Sequence, residues 1–313
     1  MEIRKLGQSG LNVSRLCFGT LTMGPLQRNF SPETGAELLA EGFLQGINCL
    51  DTAEYYQNYP HIQKALIRHP DMIVMTKCHA YDRAGALESV DKALTGLGRK
   101  TLDVMMLHEQ ESRYTLKGHA EALQTFAALK EKGVIRAIGV STHFVDCADA
   151  ASTHPLIDVV EAICNKAGVG IIDGSEQDME AALCKAHDFG KGVVAIKALA
   201  GGHFSSSPAE SIRYVLDKPF VDCLAVGMQS RDEILCNTAL FENRCTPSLL
   251  QAVKRQSRRL HVADWCLGCG TCEKRCQANA IHVVNGKAVP DHSRCVLCGY
   301  CAGSCPEFCI KVF

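Results

Sequence analysis

The chain has almost no net charge: 33 Lys and Arg stand against 34 Asp and Glu, which leaves -1 at neutral pH. Proteins that wrap nucleic acid or lie on anionic membranes carry a basic excess, so neither function is expected. Proline is scarce, at 10 residues, and 47% hydrophobic against 21% charged residues exclude a largely disordered chain. No run approaches the roughly 18 apolar residues of a membrane helix. The opening Met1-Glu2-Ile3-Arg4-Lys5-Leu6-Gly7 also lacks the apolar core of a secretion signal. These absences lead us to expect a cytoplasmic protein without a membrane span, 313 residues being enough for a barrel-sized domain and an appendage.

Cysteine is the residue in excess. Of 18, nine lie in residues 1–265 and nine in the last 48 residues, so composition changes sharply near Trp265. In a reducing compartment such clustering argues for metal rather than disulfides, and the scattered nine read as buried thiols. The tail repeats with a period of 29: Cys266, Cys269, Cys272 and Cys276 recur as Cys295, Cys298, Cys301 and Cys305, and Ile281 and Val283 as Ile310 and Val312. Each half is C-x2-C-x2-C-x3-C followed by a short strand, the spacing that holds two 4Fe-4S clusters in bacterial ferredoxins, with the fourth Cys of each run crossing to the other cluster. One cluster should use Cys266, Cys269, Cys272 and Cys305; the other should use Cys295, Cys298, Cys301 and Cys276. Two structural zinc sites are the alternative, but they leave no role for a third close Cys.

Cys309 stands where the first half has Ala280 and reads as packing, and Pro306 follows the last ligand where the first half has Gln277. Asn285-Gly286 signals a two-residue hairpin. Over about 50 residues the tail resembles a bacterial two-cluster ferredoxin, but its five Lys or Arg against four Asp or Glu depart from the acidic character of many such proteins. An external electron carrier is a partner this resemblance implies. Upstream, Lys254-Arg255-Gln256-Ser257-Arg258-Arg259 beside Leu249, Leu250 and Val253 suits a linking helix within 246–260, with a solvated basic face or one that docks an acidic partner.

Residues 1–245 alternate short apolar runs with helical patterns. Strands are expected at Leu16 to Gly19, Ile47 to Leu50, Met72 to Met75, Leu102 to Leu107, Ala137 to Val140, Val159 to Ile163, Val193 to Ile196 and Leu224 to Val226. Eight βα units of about 31 residues suit an α/β (β/α)8 TIM barrel, whose catalytic groups sit at the C-terminal ends of strands. There stand Asp51, Tyr56, Lys77 and His108. A tyrosine can give a proton to a carbonyl oxygen, with a lysine lowering its pKa, an acid orienting the lysine and a histidine bonding the same oxygen. Tyr55 is the rival for Tyr56.

Those four residues, the opening Leu6-Gly7-Gln8-Ser9-Gly10-Leu11 through Phe18-Gly19-Thr20, and the strand ends at Ser141, Asn165, Lys197-Ala198-Leu199-Ala200-Gly201-Gly202 and Gly227-Met228 resemble the aldo-keto reductases over about 240 residues. The resemblance implies Asp51, Tyr56, Lys77 and His108 as catalytic tetrad and a small carbonyl or alcohol substrate. It also implies NADP(H) or NAD(H), held by Ser141, Asn165, Lys197, Leu199, Gly201, Gly202, Gly227, Met228, Arg231 and Asn237. FMN at the phosphate loops is a less favoured alternative. Two positions depart from the family pattern: Gln57 replaces the Gly after the catalytic tyrosine, and Glu233 and Cys236 stand where an Arg and a Glu would be expected, which leaves Arg231 as the one basic candidate for a 2'-phosphate. The loop residues His79, Glu109, Tyr114, His143 and His203 are candidates for shaping substrate choice. Hydride chemistry in the barrel and one-electron clusters in the tail pose a mismatch in electron count. An electron-transfer component that does not use nicotinamide is therefore the second reading.

Overall fold

The structure, a computed structural model, describes all residues except His203, Ser205, Ser206, 255–258, Gln277, 296–298 and Phe313. The chain opens with an antiparallel hairpin, β1 (Ile3–Lys5) and β2 (Asn12–Ser14). Eight parallel strands follow: β3 (Leu16–Gly19), β4 (Cys49–Asp51), β5 (Ile73–Cys78), β6 (Leu102–Gln110), β7 (Ile135–Thr142), β8 (Val159–Ile163), β9 (Gly192–Ile196) and β10 (Cys223–Gly227). They close into a barrel in which β10 bonds both β9 and β3, so all eight expected strands form and the ring closes as a (β/α)8 barrel. Between them run α1 (Pro32–Leu44), α2 (Tyr59–Arg68), α3 (Arg83–Leu97), α4 (Arg113–Gly118), α5 (Ala120–Glu131), α6 (Val145–Ser152), α7 (Glu176–Asp188) and α8 (Pro208–Leu216), and α9 (Arg231–Phe241) follows β10.

Alternation along the strands makes two apolar layers. Leu16, Phe18, Leu50, Val74, Met105, Leu107, Val160 and Leu224 face outward and pack under the helices. Cys17, Cys49, Met75, Val104, Met106, Val159, Val194 and Cys223 fill the interior with Leu6, Leu11 and Val13 of the hairpin region. The hairpin thereby plugs the N-terminal end and leaves the C-terminal end as the mouth. Helix starts follow their caps: Asp82 accepts from the Gly85 N–H, Ser175 from Asp178 and Ser230 from Glu233.

Helix α10 (Pro247–Lys254) lies within the expected linking segment, with Leu249, Leu250 and Val253 packed against the barrel's outer core. The basic residues Arg255 and Arg258 lie outside the described residues, while Arg259 donates to the Gln27 carbonyl at 3.2 Å. The tail contains β11 (Leu260–Val262), α11 (Thr271–Arg275), β12 (Ile281–Val284), β13 (Lys287–Pro290), α12 (Tyr300–Gly303) and β14 (Ile310–Val312). β11 pairs with β14, and β12 with β13 through Asn285 and Gly286, both at positive φ as a type I′ turn requires. The 29-residue period extends to the backbone: Gly270 and Gly299 share φ near 78°, and Asn279 and Phe308 near 49°.

Candidate active site

Asp51, Lys77 and His108 project from the ends of three neighbouring strands, and Tyr56 from the 3-10 turn Glu54–Tyr56 that follows β4. Lys77 is buried, bonds Asp51 Oδ1, and donates to the Thr52 carbonyl at 3.1 Å. Its ammonium lies 5.6 Å from the Tyr56 ring centre, and the Tyr56 and His108 rings lie edge to face at 5.8 Å. The expected tetrad therefore converges.

A fifth member was not anticipated. Glu161, buried in the middle of β8, places Oε1 3.1 Å from the Lys77 ammonium, while its Oε2 has no hydrogen-bond partner among the described residues. The available signal was a charged residue inside the apolar run Val159-Val160-Glu161-Ala162-Ile163, since a buried charge needs a partner. Burial would push Lys77 down, but Asp51 and Glu161 outweigh it and hold the ammonium charged. Burial, then the Glu161 charge, push Asp51 well above the usual carboxylate range. Tyr56 is raised above its ordinary value by burial, against the opposing pull of Lys77. His108 is pushed well below its usual range by burial and next by Lys77, so its ring is neutral; His79 stacks on it at 4.7 Å.

Tyr55 lies at the open edge of the same site, 44% exposed, between His79 and Trp265. Gln57 takes φ 53°, the left-handed region a glycine would favour, so the substitution preserves the turn that sets Tyr56.

Tyr56, His108 and Glu161 line a cavity of about 940 Å³ at the mouth. The tail forms one wall of it, through Trp265, Leu267, Pro306, Glu307, Phe308 and Lys311. Phe308 keys this contact: a Cβ at Gly170 would lie 2.1 Å from its ring and one at Gly201 2.5 Å. Lys197 Nζ sits 4.0 Å from the same ring centre and 2.8 Å from His143 Nε2.

Of the residues expected to hold a dinucleotide, Ser141, Lys197, Leu199, Gly201, Gly227 and Asn237 line the cavity. Asn165 is buried and spends its amide on its own loop, donating to the Val169 carbonyl and accepting from the Val169 N–H. Met228 is fully buried, and Gly202 is next to the undescribed His203. Arg231 turns outward, 71% exposed, and pairs with Glu41 at 3.2 Å. A cation that does line that part of the cavity is Arg28 of the β3–α1 loop, whose Nε donates to Gln229 at 2.7 Å. Sequence reading had no route to Arg28, because only the closed barrel brings it beside the residues after β10.

In the tail, Cys266, Cys269, Cys272 and Cys305 line one small pocket of about 10 Å³, with Cys309 beside them. Backbone N–H groups of Gly268 and Ala288 donate to the Cys266 sulfur, each at 3.4 Å. Hydrogen bonding from the Cys309 thiol and nearby N–H groups pulls the Cys305 thiol down to about 6. Of the second set, Cys276 accepts from the Ala280 N–H at 3.3 Å and Cys301 is buried, Cys295 is half-buried, and Cys298 lies outside the described residues. Among the described residues no group of three or more His, Cys, Asp or Glu side chains converges on a single ion position.

The model of the Aldo/keto reductase family matches residues 15–211. L-galactose dehydrogenase of Arabidopsis thaliana is 25% identical over 280 residues, covering 76% of this chain and 88% of that protein. An uncharacterized oxidoreductase of Bacillus subtilis is 30% identical over 158 residues, 45% and 49% of the two chains. A stretch of 47 residues is 43% identical to one component of an ion-translocating oxidoreductase complex of Methanosarcina acetivorans, 15% of this chain and 18% of that one. In structure the chain matches an aldo-keto reductase of Pseudomonas aeruginosa with TM-score 0.68 and 25% identity, covering 77% of this chain and 95% of that chain. The fold also matches that of a Bacillus halodurans aldo-keto reductase, with TM-score 0.66 and 22% identity over 81% and 96% of the two chains.

Proposed function

Because the chain belongs to the aldo/keto reductase family, we propose that it interconverts a carbonyl and an alcohol at the barrel mouth, with Tyr56 moving the proton and two 4Fe-4S clusters in the tail handling electrons. The observation that carries this reading is the convergence of Asp51, Tyr56, Lys77 and His108 around one cavity. A carbonyl oxygen set between the Tyr56 hydroxyl and the neutral His108 ring meets two polar groups fixed before reaction. Tyr56 remains protonated at neutral pH and so acts as donor when the oxygen gains negative charge. Lys77, held cationic by Asp51 and Glu161, stabilises the phenolate left behind.

For a nicotinamide dinucleotide the cavity has room, and Ser141, Leu199, Gly227, Asn237 and Arg28 are the groups that would hold it. Bound there, it supplies a hydride. In the tail, soft thiol donors with N–H groups aimed at sulfur suit iron and sulfide, and a cube takes one thiolate at each of four corners rather than four at one ion. Cys266, Cys269, Cys272 and Cys305 would hold one cluster; Cys276, Cys295, Cys298 and Cys301 the other. The clusters supply one-electron steps.

The test is anaerobic turnover of the full chain with a panel of carbonyls and alcohols, using NADH, NADPH or reduced ferredoxin. Tyr56→Phe should cut the rate by about 10²–10⁴-fold. No turnover with any pair, together with no effect of the substitution, would overturn the reading.

A second reading, in which electrons pass between clusters and barrel without nicotinamide, draws support from Phe308 covering Gly201 and from the outward Arg231. Saturable micromolar quenching of intrinsic fluorescence by NADH or NADPH favours the first reading. No quenching, with substrate bleaching the cluster absorbance or FMN binding in its place, favours the second.

A further inference from the structure

Lys197 and Lys311 bring two ammonium groups to one cavity wall from opposite parts of the chain. Lys197 follows β9 of the barrel at φ 58°, a left-handed conformation that costs a non-glycine residue energy and gathers at functional sites. Lys311 lies in β14 of the tail. Their Nζ atoms sit 4.0 and 5.5 Å from the centre of the same Phe308 ring. Lys197 Nζ bonds His143 Nε2 at 2.8 Å, and all four side chains line the 940 Å³ cavity.

Neither lysine makes an ion pair within 4.0 Å with a carboxylate among the described residues, although Glu109 and Glu307 line the same cavity. Two cations withdrawn from water without a carboxylate paired to either are costly. Burial and then Lys311 accordingly push Lys197 down to about 7. The pair faces the reacting centre, since Lys197, Lys311 and His143 line the same cavity as Tyr56 and His108.

We propose that Lys197, Lys311 and His143 form an anion-binding site that holds the carboxylate or phosphate of the carbonyl substrate, built jointly by the barrel and the tail. This rests on the carbonyl-reducing function proposed above and adds the substrate class: a small carbonyl compound carrying an anionic group near the reacting carbon. The lysines supply charge, and the His143 ring, kept neutral by burial and then by Lys197, supplies hydrogen-bonding capacity without a third charge. Phe308 presents its ring to both ammonium groups.

The experiment is calorimetric titration of the full chain, purified anaerobically, with oxalate and with inorganic phosphate. Saturable binding is expected, weakened about tenfold or more in Lys197→Met and in Lys311→Met, and retained within about threefold in Lys311→Arg, which keeps the charge and shows that the position tolerates substitution. In turnover, Lys311→Met should raise KM for a 2-oxo carboxylate and leave kcat and the KM of an uncharged aldehyde near the parent values. No anion binding by the parent protein, or equal binding by both Met variants, overturns the proposal. Loss of anion binding in the presence of saturating NADH also overturns it, because the site then belongs to a dinucleotide diphosphate. The titration needs no turnover, so a chain that binds these anions through both lysines yet reduces no carbonyl would sink the proposed function alone.

Discussion

The barrel and the tail hold nine cysteines each, and they use them differently. In the barrel, Cys17 of β3, Cys49 of β4 and Cys223 of β10 meet in the interior, fully buried among Met75, Val104 and Met106. They come from three neighbouring strands, far apart in sequence, and are fixed by the closed sheet. In the tail, Cys266, Cys269 and Cys276 sit on short loops that flank α11, which carries Cys272, and peptide N–H groups turn toward the sulfurs of Cys266 and Cys276. Thiols gathered by a rigid sheet fill space; thiols gathered by tight loops present donors.

The largest effect that sharpens this contrast is on turnover. Tyr56→Phe should lower it by about 10²–10⁴-fold while the visible absorbance of the tail stays as in the parent, which separates proton chemistry from electron handling. Next comes iron content: Cys269→Ser should remove about half of the iron, whereas Cys17→Ser should remove none, and equal loss from both would erase the distinction between the two sets of cysteines.

The contact between the regions should show in stability. Phe308→Ala removes a buried ring clasped by Gly170 and Gly201, and should cost about 3 kcal/mol in chemical denaturation of the full chain. The smallest effect concerns pH. With Tyr56 held above its ordinary value, the reduction rate of an uncharged aldehyde, which does not depend on the Lys197 charge, should stay flat from about pH 6 to 9 and fall only where the phenol ionises. Glu161→Gln removes one of two charges facing Lys77, lets the ammonium act more strongly on Tyr56, and should bring that alkaline limb down by about one unit.

Much of the barrel was legible in the sequence because its strands are continuous apolar runs between amphipathic helices, and because Asp51, Lys77 and His108 end them. The 29-residue repeat was equally legible from its cysteines, and the structure extends it to positive φ at matching residues. Three features were not legible. Glu161 pairs with Lys77 only once β5 and β8 face a common interior, Arg28 takes the place expected of Arg231 only after the ring closes, and the arrangement of Phe308 and Lys311 over the mouth depends on how the tail packs. Each depends on contacts between residues distant in sequence, which neither spacing nor periodicity encodes.

The central claim is that a carbonyl-reducing barrel is joined to an electron-carrying tail, and it is tested most directly by iron and acid-labile sulfide analysis of the full chain purified without oxygen. The account predicts about eight iron and about eight sulfide per chain, with visible absorbance that bleaches on reduction. About two zinc per chain without sulfide, or a colourless chain free of metal that still reduces carbonyls at full rate, would contradict it.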